Sequence, residues 1–175
     1  NAILPSLVES GKLDAKYLEQ NWDASLLKAA TAPDASIPGN FVQNGASITA
    51  KTLQLKGAIL MKVTMGYKLN GNYATQIPED ATITYYFWNA EKYNELLASG
   101  TALSKSNATY VQSSANEEEV FANAVDSTYG YEYYAIAESI SARKLDKTVY
   151  FAAIVTEADG TEYCTGVQSY SPMQY

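Results

Sequence analysis

Val149-Tyr150-Phe151-Ala152-Ala153-Ile154-Val155-Thr156-Glu157-Ala158-Asp159-Gly160-Thr161-Glu162-Tyr163-Cys164-Thr165-Gly166-Val167 reads as two strands and the turn that joins them. Odd positions Val149, Phe151, Ala153 and Val155 are apolar, and Tyr163, Thr165 and Val167 resume the period of two. That period places alternate side chains on one face of a pleated strand. Glu157-Ala158-Asp159-Gly160 suits a type I turn followed by a left-handed glycine, which adds a bulge. The bulge pairs Val155 with Tyr163, Ala153 with Thr165 and Phe151 with Val167, so odd residues oppose odd residues. A plain two-residue loop would set odd against even and break the pattern. Gly160 is therefore expected at positive φ, with Phe151 and Val167 on one face.

N-terminal to this hairpin, Ala81-Thr82-Ile83-Thr84-Tyr85-Tyr86-Phe87-Trp88 repeats the alternation, with Ile83, Tyr85 and Phe87 on one row and Tyr86 and Trp88 on the other. The run from Leu55 to Met65 is apolar at odd positions apart from Gly57 and predicts one long half-buried strand. Asn70-Gly71 signals a tight turn just after it. Tyr131 to Ile136 reads as a strand by aromatic density, and Tyr110-Val111 as a short one. One helix interrupts the strands. Asn89 can cap it, Tyr93, Leu96 and Leu97 share a face, and Gly100 ends it. Residues 113–119 read as a solvated acidic loop.

Residues 1–40 differ. Leu4, Leu7, Val8, Leu13, Tyr17 and Leu18 recur at helical spacing, and the stretch 31–40 has the composition of a linker. The pieces are short for isolated helices, so this arm is expected to dock through Leu13, Tyr17, Leu18, Trp22 and Leu26. The predicted organisation is an N-terminal helical arm and linker at 1–40 and a mainly β domain at 41–175. The domain is expected to be an antiparallel β-sandwich of about seven strands with a short crossover helix.

Composition narrows function by exclusion. The 175 residues contain no histidine and one cysteine, against fifteen tyrosines. A Ser–His triad and an internal disulfide are therefore impossible. Net charge is −7 without a concentrated basic cluster, which disfavours nucleic acid. No apolar run is long enough to span a bilayer as a helix. No cofactor or metal motif is present; calcium alone suits the oxygen-rich loops, and Asp159-Gly160 is explained as a turn. Lone Cys164, opposite Ile154 in the register above, reads as a small buried filler. Asn107-Ala108-Thr109 matches a glycosylation sequon.

Two segments carry a resemblance. Ala46-Ser47-Ile48-Thr49-Ala50-Lys51-Thr52-Leu53-Gln54-Leu55-Lys56-Gly57 contains a Leu-x-Leu-x-Gly strand. Ser141-Ala142-Arg143-Lys144-Leu145-Asp146-Lys147-Thr148 precedes Asp159-Gly160-Thr161-Glu162-Tyr163, and Ser169-Tyr170-Ser171-Pro172-Met173-Gln174-Tyr175 closes the chain. Together, over roughly 46–175, these resemble the Ig-like β-sandwich repeat modules of large secreted or cell-surface proteins of anaerobic Gram-positive bacteria. The resemblance implies an Ig-like fold, an extracellular or cell-surface location and neighbouring modules of a larger protein. It implies no reaction and no functional residue.

Three readings of function follow. The leading one is a non-catalytic surface module for adhesion, spacing or ligand binding. The second is a carbohydrate-binding module with Tyr86, Trp88, Tyr131 and Tyr133 as its ligand-binding residues, because flat aromatics beside amides and carboxylates can stack on sugar rings. Its partner would be an extracellular polysaccharide, or a surface protein under the first reading. Tyrosine is also simply a favoured strand residue. The third is a glycan-acting hydrolase, for which Glu79/Asp80 and Glu117 to Glu119 are the candidate acids; they fall in loops rather than facing each other.

Overall fold

The computed structural model of the chain describes residues 41–55, 59–116, 118–123 and 129–174. The expected arm and linker lie outside these residues. Contacts divide the chain into residues 1–31 and 32–175, and all described residues belong to the second unit.

Ten strands, more than the seven or so expected because short edge segments pair as well, are present among the described residues with one α-helix and three single-turn 3-10 helices. The elements are β1 (Ala46–Leu55), β2 (Ile59–Asn70), β3 (Tyr73–Thr75), β4 (Thr82–Trp88), α1 (Ala90–Ala98), β5 (Tyr110–Ser113), β6 (Val120–Ala122), β7 (Glu132–Ile140), β8 (Val149–Thr156), β9 (Glu162–Cys164) and β10 (Gln168–Tyr170). They form two antiparallel sheets. Sheet one runs β1-β2-β7-β6, with β3 on β2; sheet two runs β10-β8-β4-β5, with β9 on β8. The fold is a mainly β, two-sheet antiparallel arrangement, as the alternation predicts.

The inward rows meet in one core. Met61, Val63 and Met65 of β2 pack with Ile83, Tyr85 and Phe87 of β4 and with Phe151, Ala153 and Val155 of β8. The outward row of sheet two is also buried. Trp88, Ala152, Ile154 and Cys164 form a second cluster with Tyr93 and Leu96 of α1, Phe41 and Leu103. The helix forms as predicted: Asn89 Oδ1 accepts from the Lys92 N–H at 2.8 Å, and Gly100 takes φ +65° just past its end. It lies against sheet two because Tyr93 and Leu96 need an apolar surface and β8 supplies one.

The turn at 157–160 behaves as its chemistry requires. Gly160 has φ +84°, Ile154 pairs with Cys164 and Val155 with Tyr163. The register then departs from expectation. Phe151 pairs with Gln168, not Val167, and Val167 packs on the outer cluster while Phe151 fills the core. A second irregularity at Thr165 and Gly166 is the cause. The Thr165 N–H donates to Ala153 O at 3.0 Å, but the Ala153 N–H is taken by Thr165 Oγ1 at 2.9 Å rather than by a backbone carbonyl. Gly166, at φ +71°, then shifts the chain by one residue.

A second correction concerns residues 55–65. They are not one strand: β1 ends at Leu55 and pairs there with Ile59, where β2 begins. Both partners are odd-numbered, so the alternation runs through the reversal unbroken and hides it. Gly45, at φ +64°, marks where the chain leaves sheet two for sheet one: Asn44 exchanges 2.8 Å backbone hydrogen bonds with Cys164, and β1 starts at Ala46. A Cβ at residue 45 would stand 2.5 Å from Tyr163 Cδ1, so only glycine fits.

Candidate functional site

Tyr86 and Trp88 have the arrangement of a stacking platform, with ring centroids 6.4 Å apart and planes inclined by 25°. The platform is covered. Phe41 sits 5.0 Å from Trp88, edge-on, and 5.6 Å from Tyr86, and Trp88 is 0% exposed. Its indole N–H donates to Asn107 Oδ1 at 2.9 Å. Asn107 also accepts from the Ser104 N–H and donates to Ala102 O, so the sequon asparagine serves as an internal bracket for the indole. Tyr133 belongs to β7 of the other sheet, and Tyr131 lies just before that strand. Tyr133 packs against the inter-sheet core and its hydroxyl accepts from the Ile77 N–H at 3.2 Å; the Tyr131 N–H donates to Ala74 O. The four tyrosine and tryptophan positions do not converge on one surface. An outward strand position is exposed only where nothing packs over it, and here α1 and Phe41 do. The sequence carried that signal: Phe151-Ala152-Ala153-Ile154-Val155 is apolar on both rows, as in a strand buried on both faces.

A cleft of about 740 Å³ opens instead along the edge where β5 faces β6 and β7. β5 builds one wall. Tyr110 pairs with Phe87 and Gln112 with Tyr85, so both point into the space between the sheets. Tyr110 stacks on Phe87 at 4.5 Å and 10°, yet stays 37% exposed toward the opening. Gln112 crosses the gap: its Nε2 donates to Ile136 O at 2.8 Å, while its buried Oε1 has no partner. Glu119 Oε2 accepts from Asn116 Nδ2 at 3.0 Å and from the Ser113 N–H at 2.8 Å, and these bonds hold its carboxyl below the usual range. Asn89, Lys144 and Lys147 complete the rim. An aromatic wall, amides, a carboxylate and two cations suit a polar ligand with an apolar face. The clue in the sequence was a strand whose inward positions are tyrosine and glutamine instead of aliphatics.

A third cluster closes the end of the fold near the 157–160 turn. Glu157 accepts from the Tyr67 hydroxyl and lies 3.1 Å from Lys68 Nζ, which also lies 4.4 Å from the Tyr163 ring centroid. The Tyr67 hydroxyl, then Lys68, hold the Glu157 carboxyl below its ordinary value; Tyr67, Tyr163 and Glu157 push Lys68 up. Every group is paired with another member, which makes the cluster a latch between β2 and the turn. Cys164 is buried, as expected of a filler, and burial raises its thiol. Among the described residues no three His, Cys, Asp or Glu side chains gather as a metal site, and no helix is long and apolar enough to cross a membrane. Comparison with known proteins finds no matching family model, no matching curated protein and no matching solved structure.

Proposed function

We propose that the β unit is an Ig-like sandwich module of an extracellular or cell-surface protein, acting without catalysis in adhesion, spacing or ligand binding. The observation that supports this most is strand order. β1-β2-β7-β6 facing β10/β9-β8-β4-β5 has the order A-B-E-D and G-F-C-C′ of Ig-type sandwiches. The switch of the chain from sheet two to sheet one at Gly45 accords with an edge strand shared between sheets. The resemblance over 46–175 supports the same reading.

Binding, in this reading, belongs to the β5–β7 cleft. A saccharide is the ligand class favoured by Tyr110, whose exposed ring can stack on a sugar, with Asn89, Gln112 and Glu119 around it for hydroxyls. The test is a panel of plant, host and microbial polysaccharides read by calorimetry, with Tyr110→Ala and Trp88→Phe. Binding abolished by Tyr110→Ala and kept by Trp88→Phe supports the cleft. Binding that survives Tyr110→Ala overturns it. Silence across the whole panel leaves spacing or protein adhesion as the function. Release of new reducing ends from any polysaccharide would overturn the non-catalytic reading.

A further inference from the structure

The outer face of sheet one holds three groups, Lys62, Asn123 and Glu132, that neither the cleft nor the latch uses. Lys62 lies mid-strand on β2, opposite Thr52 on one side and Ile136 on the other. Its side chain passes over the Tyr134 ring, with Nζ 3.8 Å from the centroid, and ends 3.0 Å from Asn123 Oδ1. Asn123 follows β6 and is held by its N–H on Glu132 O at 2.8 Å. Its Nδ2 donates to Glu132 Oε2 at 3.1 Å. Glu132 is only 6% exposed, and its second oxygen, Oε1, is buried with no partner. Phe121 stacks on Tyr134 at 5.3 Å and walls the site. A lysine amine thus meets an amide carbonyl whose leaving nitrogen already rests on a buried carboxylate.

The geometry points to an intramolecular covalent crosslink between Lys62 and Asn123, formed with Glu132 as the proton carrier. The neutral Lys62 amine attacks Cγ of Asn123 and forms a new C–N bond. The proton shed by Nζ passes through the Glu132 carboxylate to Nδ2, the Cγ–Nδ2 bond breaks, and ammonia leaves and is protonated in water. A lysine ammonium and a primary amide become a secondary amide and an ammonium ion, with no oxidant or other reactant. Holding Nζ 3.0 Å from the amide oxygen raises the effective concentration of amine and amide, which is what turns a sluggish aminolysis into a spontaneous one. Glu132 Oε1, unpartnered before reaction, is the acceptor available for the travelling proton. The product ties β2 to β6 across β7, and so closes a long loop in the unfolded chain. This inference stands apart from the ligand reading, since a spacer with no ligand can carry the bond equally well.

Intact-mass spectrometry of the folded 175-residue chain tests it. The expected mass is below the sequence mass by one ammonia, with the peptide holding Lys62 joined to the peptide holding Asn123 after digestion. Lys62→Arg and Asn123→Ala should return to the full mass expected for each sequence, and Glu132→Gln should leave most molecules unjoined. A folded wild-type chain at full mass after prolonged incubation at neutral pH overturns the proposal. So does an ammonia loss with the two peptides separate, which is cyclic imide formation at an asparagine. Full joining in Glu132→Gln overturns the role given to that carboxylate.

Discussion

The outer faces of the two sheets solve the same problem in opposite ways. On sheet two the outward row is Trp88, Ala152, Ile154 and Cys164, and it is roofed by α1, Phe41 and Leu103. On sheet one the outward row of β2 and β7 carries Lys62, Thr64, Glu132 and Tyr134, and polar groups there are met laterally by Asn123 and by the ring of Tyr134. An apolar outward row requires a third layer, because uncovered it would be a sticky patch. A polar outward row requires partners within its own plane, because a buried carboxylate or amide is costly alone. One face is held by area, the other by pairing.

The largest expected effect comes from removing the roofed face's anchor. Trp88→Ala should destabilise by about 3–5 kcal/mol, read from denaturant midpoints, because it leaves a large cavity beneath Phe41. A loss below about 1 kcal/mol would mean that the third layer contributes little and would collapse the contrast between the faces.

Asn107→Ala comes next, at about 1–3 kcal/mol, since it strands the buried Trp88 indole N–H and the Ser104 N–H together. A double-mutant cycle with Trp88→Phe should remove most of that penalty. Additive effects would show that the indole bond is not what Asn107 supplies.

Gly160→Ala should cost about 1 kcal/mol. Nothing lies within 4 Å of the added Cβ, so only the left-handed backbone at φ +84° resists. Gly45→Ala combines a left-handed backbone with the 2.5 Å approach to Tyr163 and should cost clearly more. Equal losses at the two glycines would remove the role given to Gly45 in the sheet switch.

The smallest effect concerns the latch at Glu157. Its carboxyl is depressed by Tyr67 and Lys68, so its contribution is complete above the unfolded glutamate range near pH 4.3 and fades as pH falls through the lower folded value. Lys68 is raised, so its part is complete below the ordinary lysine range and fades as pH rises through the folded value. Lys68→Met should flatten both limbs of a stability–pH profile, with little change between them, because the pair is partly exposed to solvent. An unchanged acid limb would dismiss the latch.

Much of the fold was legible from local chemistry. Period two located β4, β8 and β9, Asn89 and Gly100 bounded α1, and Asp159-Gly160 called for the bulge that Gly160 makes. The candidate site was legible only in part. Alternation told which row of β4 is inward but not that α1 would return over the other row, so Tyr86 and Trp88 read as a platform when they are a floor. Tyr133 lay in a strand of correct type, yet its face depended on the pairing of β7 with β2, which no local signal encodes.

Residue order therefore controlled everything that depends on neighbours a few residues away: strand periodicity, turn type, and the helix and its caps; composition alone removed histidine chemistry. Packing of the whole fold controlled the features that depend on partners far along the chain. These are the reversal between Leu55 and Ile59, the one-residue shift at Gly166, the roof over Trp88 and the meeting of Lys62, Asn123 and Glu132. Backbone and side-chain preferences act over a turn or a pleat, whereas burial and pairing are settled only when distant segments take up each other's surface.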